Sequence, residues 1–146
     1  MHRRYEEVLV RKKLRIGIIS TGDEVVPIGS APAGAQVRDI NSYAVYASAL
    51  KMGLAPVLFG IVKDGFEEIN DTVKKAMEEC DIVVISGGSS MGTKDVTVKV
   101  IDSLGEPGVL VHGIAVKPGK PTILGKVGAK AVIGLPGHPA SAYVPS

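Results

Sequence analysis

Apolar residues fall along this chain in short unbroken runs, separated by longer stretches with helical spacing. The runs are residues 14–20 (LRIGIIS), 55–62 and 81–85. They are short, rich in β-branched residues and lack polar alternation, and so predict strands covered on both faces. Between the first two, Asn41 suits the cap of a helix running to about Met52, with Tyr43, Tyr46, Ala47 and Leu50 at helical spacing and Gly53 as its stop. Residues 66–79 predict a second helix with Ile69, Val73, Ala76 and Met77 on one face, and residues 95–104 a third. The Pro-, Gly- and Ala-rich stretch 25–39 reads as a surface loop. Strand and helix thus alternate three times, which implies an α/β sheet with right-handed crossovers.

Beyond Gly105 the rhythm changes. Residues 109–116, 122–124 and 131–135 are short strand candidates, and the stretch 126–130 between the last two has the character of a hairpin turn. The expected fold is therefore a three-layer α/β/α arrangement whose sheet is mostly parallel, with an antiparallel C-terminal part.

Composition narrows the class. A chain of 146 residues with 45% hydrophobic side chains suits one domain with a real core. Residues 1–13, carrying Arg3, Arg4, Arg11, Lys12 and Lys13, form a lead-in or linker, and 14–146 the domain. A net charge of +2 and the absence of tryptophan give no basic field and no stacking platform, so nucleic acid is not an expected partner. No apolar run approaches the roughly 20 residues that cross a bilayer, and the N-terminus lacks an apolar leader core, so no membrane is expected and the location is read as cytoplasmic. The single cysteine, Cys80, permits no internal disulfide and reads as a packed helix end.

The densest candidate chemistry lies in the stretch 86–95, Ser-Gly-Gly-Ser-Ser-Met-Gly-Thr-Lys-Asp, directly after an apolar run. Glycines let a backbone turn tightly and bring its N–H groups to a ligand, and hydroxyls ahead of a helix start suit an anionic, phosphorylated one. In open α/β sheets ligands bind beyond the carboxyl ends of the strands. Thr21, Gly22, Asp23 and Glu24, then Asp64, then 86–95, and then Lys117 and Lys120 all fall at such ends. The carboxylates of Asp23, Glu24, Asp64 and Asp95 suit Mg²⁺, a hard cation that takes oxygen ligands together with phosphates. Lys117 and Lys120 offer charge to an oxyanion. Taken singly, the 21–24 and 64–65 segments read as plain turns, and 117–121 suits a rigid exposed turn equally well. His112, inside an apolar run, reads as a structural histidine, and His138, between Gly137 and Pro139, as a pocket-lining one. The histidines lack metal-ligand spacing, and no serine, histidine and aspartate set is legible as a triad.

Taken in order, Ser20-Thr21-Gly22-Asp23-Glu24-Val25-Val26, Val62-Lys63-Asp64, Ser86 through Asp95, Lys117-Pro118-Gly119-Lys120-Pro121 and Gly134 through Ser141 resemble the molybdopterin-binding domain of the MoeA and gephyrin E-domain family. Each motif is weak alone, and five in this order and spacing are specific. The resemblance implies a molybdopterin molybdotransferase that binds adenylylated molybdopterin and molybdate or tungstate, hydrolyses the adenylate with Mg²⁺ and inserts the metal. It implies Asp64 and Asp95 as Mg²⁺ ligands with Glu24 beside them. Ser90, Lys117, Lys120 and Pro121 then form the oxyanion side, and Gly87, Gly88 and Gly92 shape a cradle for the pterin and its phosphate. Thr21, Gly22, Asp23, Ser86, Pro136, Gly137 and His138 complete the binding surface. Three positions depart from the family pattern: Ser89 replaces a usual valine, His138 a common asparagine, and Thr93 an often present carboxylate, which implies weaker metal binding. Relatives of this kind carry further domains and are dimers, while single-domain relatives are often trimers. The chain is therefore expected to be a piece of a longer protein and a homo-oligomer. Two other readings share the fold: a MogA- or MoaB-like molybdopterin adenylyltransferase using ATP, and a non-catalytic molybdopterin-binding module.

Overall fold

The computed structural model describes residues 7–87, 91–113 and 122–136, and of 91–94 the backbone alone. In chain order the elements are β1 (Arg15–Thr21), β2 (Val25–Val26), β3 (Val37–Arg38), α1 (Ile40–Lys51), β4 (Ala55–Val62), α2 (Phe66–Glu79), β5 (Ile82–Ser86), α3 (Met91–Leu104), β6 (Pro107–His112), β7 (Ile123–Val127) and β8 (Lys130–Leu135). Six strands form one sheet in the order β4-β1-β5-β8-β7-β6. β4, β1, β5 and β8 pair in parallel, and β7 runs antiparallel to both β8 and β6. The expected parallel sheet with an antiparallel C-terminal part is what forms.

The two faces of the sheet are covered differently. Ile19, Val83, Ile85 and Val132 meet Ile69, Val73 and Ala76 of α2 and Val100 and Ile101 of α3 in the larger core. On the opposite face Ile16, Val84 and Leu135 pack with Ala49 of α1, flanked by Val45 and Leu54. A strand sandwiched this way has no solvent face, which explains the unbroken apolar runs. α2 matches its expected bounds and its inward face. α1 does not present the expected one: Tyr43 and Leu50 are 45% and 55% exposed, while Ser42 and Ala49 are buried. Small side chains let this helix approach the sheet, and the larger ones remain outside.

Three boundaries move for identifiable reasons. The stretch 25–39 is not all loop, because Val25 and Val26 pair in parallel with Val37 and Arg38. The prolines and glycines sit in the connection between the two short strands, where they leave the ladder intact. The cap of α1 is Asp39 and not Asn41: its N–H donates to Val26 O at 2.9 Å, and its side chain accepts from Ser42 N at 3.2 Å. α3 starts at Met91, four residues before the expected start, so that Gly92 lies in its first turn. A helical glycine costs about 1 kcal/mol, which the burial of Val100 and Ile101 outweighs. Of the strand expected over 109–116, residues 114–116 lie outside the described residues, and His112 is exposed at the end of β6 and not a core histidine.

Cys80 ends α2, donating its N–H to Ala76 O at 2.8 Å, and the residue is only 2% exposed. Burial pushes the thiol pKa up, with Arg15 opposing and Glu79 and Asp81 adding to the rise. Thiolate is the reactive form. Labelling with a thiol reagent at pH 8 is therefore expected to be about 100-fold slower in the folded protein than in denaturant, limited by local opening. Equal rates in the two conditions would contradict this packing.

Among the described residues no helix is long and apolar enough to cross a membrane.

Candidate functional site

Parallel pairing brings four strand ends to one edge. Thr21 lies opposite Val62, Ser20 opposite Ser86, and Ser86 opposite Leu135. The loops leaving these ends are bonded to one another. Gly22 N donates to Val62 O at 3.1 Å, Gly87 N to Leu135 O at 3.2 Å, and Thr21 Oγ1 to Ser86 O at 3.4 Å. Asp23 N donates to Asp64 Oδ2 at 3.0 Å, and Asp64 N returns a bond to Asp23 Oδ1 at 3.1 Å. The two carboxylates therefore form a reciprocal latch between the first and second strand ends.

Gly87 is required where it stands. Its φ is +132°, and a Cβ there would lie 2.2 Å from Thr21 O and 2.4 Å from Thr21 Oγ1. The chain leaving β5 crosses directly over the end of β1, with no room for a side chain. Gly22, at φ +143°, is similarly restricted by Val25 and Glu24.

Beside this crossing lies a cavity of about 670 Å³. Ser20, Thr21, Glu24, Ser86 and Gly87 line it from the strand ends. Val25, Pro32, Gln36, Val37, Arg38, Asp39, Ile40 and Asn41 line it from the β2–β3 strap and the start of α1. Ser86, 1% exposed, has a buried Oγ without a hydrogen-bond partner among the described residues, and so does Asp64 at Oδ1. Leaving such a group unbonded costs about 1–3 kcal/mol, and a native fold keeps it where a ligand or water can answer it.

The residues expected in the site divide into three groups. Thr21, Glu24, Ser86 and Gly87 line the cavity, and Gly22, Asp23 and Asp64 form the latch next to it. Pro136 directly follows β8, Gly92 lies in the first turn of α3, and Asp95, exposed, comes in the next turn outside the cavity lining. Gly88, Ser90, Lys117, Lys120, Pro121, Gly137 and His138 lie outside the described residues, as does Ser89. Four further polar lining residues were not expected: Gln36, Arg38, Asp39 and Asn41. The signal for them was present, since a helix following the first strand of a parallel sheet begins at the carboxyl edge, where ligands bind.

Among the described residues no group of three or more His, Cys, Asp or Glu side chains is placed to hold a metal ion. Mg²⁺ commonly keeps several waters and takes only one or two carboxylates together with substrate phosphates. Asp64 Oδ1, unbonded among the described residues, fits one such ligand position.

The family described as "Probable molybdopterin binding domain" matches residues 17–144. A molybdopterin molybdenumtransferase of Nostoc sp. is 37% identical over 141 residues, covering 94% of this chain and 32% of that protein. The chain thus spans about a third of the length of the curated relatives it matches. The crystal structure of a molybdopterin biosynthesis MoeA protein from Pyrococcus horikoshii superimposes with a TM-score of 0.78 at 42% identity, over 89% of this chain and 32% of the other. The MoaB structure from Thermus thermophilus shares the fold, with a TM-score of 0.68 at 18% identity over 88% of this chain and 84% of that one.

Proposed function

The chain belongs to the molybdopterin-binding domain family, and from that premise we propose that it is the pterin-binding domain of a MoeA-type molybdotransferase in molybdenum cofactor biosynthesis. The observation that carries this reading is the carboxyl-edge cavity, where the Ser86 hydroxyl, without a partner among the described residues, lies beside the crossing of Gly87 over Thr21. The greater likeness to MoeA, 42% identity against 18% for MoaB, favours the transferase branch.

The chain's own residues supply positioning more than covalent chemistry. Asp23 and Asp64 brace two strand ends against each other, so that the Asp64 carboxylate is oriented before a ligand arrives. Gly87 lets the chain leaving β5 cross against Thr21 at the cavity wall, where a side chain has no room. Asp64 and Asp95 would hold Mg²⁺ with Glu24 nearby, and Ser90, Lys117, Lys120 and Pro121 would face the oxometalate. When bound, Mg²⁺ would offset charge between the phosphates and favour departure of the adenylate. Hydrolysis of the adenylate and insertion of molybdate or tungstate belong to the longer protein, whose other domains complete the site and whose cytoplasmic location goes with its substrates.

Titration calorimetry tests this reading. Adenylylated molybdopterin is expected to bind the chain, and to bind about tenfold more tightly with Mg²⁺ present. Absence of heat with and without Mg²⁺ would sink it. The chain also shares its fold with a MoaB protein over 84% of that protein's length, and an ATP-dependent adenylyltransferase is the second reading. Pyrophosphate released from ATP in the presence of molybdopterin would establish that reading in place of the first.

A further inference from the structure

Resting on the reading above, we infer that the cavity under the β2–β3 strap seats the pteridine ring itself, with the Asp39 carboxylate taking the ring's 2-amino and N3–H donors. The cavity's size of about 670 Å³ falls within the ~300–1,000 Å³ typical of small-molecule pockets. Its wall is suited to a flat ring: Val25, Val37 and Ile40 offer apolar surface, while Ser20, Asp39 and Ser86 offer a polar edge.

Asp39 is 7% exposed, and its Oδ1 accepts from Ser42 N in capping α1. An ionised carboxylate has about four lone-pair positions, so the cap leaves acceptor capacity toward the cavity. Ser86 Oγ, buried and unpartnered among the described residues, supplies the independent mark of a missing ligand. The roof is held over the ring by backbone bonds of the short ladder and by Arg38, whose Nε donates to Ser30 O at 3.0 Å.

The same chemistry selects between the two ring systems of an adenylylated pterin. A 2-amino-4-oxopteridine presents two adjacent N–H donors, which match the two oxygens of a carboxylate. Adenine presents an acceptor beside its amino group, and that lone pair faces a carboxylate oxygen with nothing to share. The pocket therefore takes the pterin end and leaves the nucleotide outside.

Fluorescence titration with 6-hydroxymethylpterin at pH 7 reads this directly. The wild-type chain is expected to bind it, and AMP at equal concentration is not expected to displace it. Asp39→Asn keeps a side chain that caps helices as well as aspartate does, so the melting temperature should hold while pterin affinity falls about tenfold or more. Ser86→Ala should weaken pterin binding by about fivefold with no loss of thermal stability, a combination that a purely structural hydroxyl would not give. Undiminished pterin affinity in both variants, displacement by AMP, or no wild-type binding up to about 1 mM would each overturn the inference. Adenylylated molybdopterin serves as the separate control. If wild type binds it and Asp39→Asn binds it equally well, only the seat of the ring is wrong; if wild type fails to bind it, the proposed function fails as well.

Discussion

Replacing Gly87 by alanine is expected to cost about 3 kcal/mol or more of folding stability and to abolish molybdopterin binding with it. The cause is local and rigid. A Cβ would fall 2.2 Å from the backbone oxygen of Thr21 and 2.4 Å from its Oγ1, and Thr21 ends a strand hydrogen-bonded to neighbours on both sides. The nearer atom is backbone and the other belongs to a short, buried, β-branched side chain, so relief requires shifting β1 or β5, and both lie in the middle of the sheet. The positive φ of +132° adds strain for any L-residue. Gly128 is the control: its φ is +60°, nothing lies within 4 Å of its added Cβ, and alanine there should cost only about 1 kcal/mol. Urea titrations of the two variants measure the difference. Equal losses would mean that the chain does not cross Thr21 so closely.

The same crossing indicates how much of this architecture was legible beforehand. β1 and β5 lie within one residue of their expected bounds, because strands buried on both faces leave unbroken apolar runs, and the half-buried edge strand β4 coincides with its apolar run as well. α2 was read to the residue, since Ile69, Val73 and Ala76 form one buried face and Gly65 and Cys80 are both extended at its ends. The β2–β3 ladder was not legible. It rests on backbone bonds such as Val37 N to Glu24 O at 2.8 Å, and two-residue strands carry no periodicity. Consequently the cavity's roof was missed, and Asp39 with it. Thr21, Ser86 and Gly87, expected at this edge, line the cavity because strand ends converge by topology. Which polar neighbours face a cavity depends on how a connecting segment folds back, and Pro- and Gly-rich composition does not encode that path.

Asp64 is where removing charge and removing a hydrogen bond can be separated. Asp64→Asn retains a side-chain oxygen to accept from Asp23 N, now 3.0 Å from Oδ2, so the latch and the stability should survive nearly unchanged. Asp64→Ala loses that acceptor and should cost about 1 kcal/mol, a modest figure because Asp23 is exposed and water can take its place. Activity should divide the variants differently. If the carboxylate serves Mg²⁺ and the phosphates, both substitutions remove it, and adenylate hydrolysis by the full-length protein should fall about 100-fold or more in each. The Mg²⁺ enhancement of adenylylated molybdopterin binding should vanish in each as well. If instead Asp64 only ties two strand ends together, Asp64→Asn should retain activity and Asp64→Ala lose it in step with stability. The asparagine variant therefore decides the matter: its stability tracks the latch, its turnover tracks the charge, and full turnover in that variant would remove Asp64 from the metal-binding role.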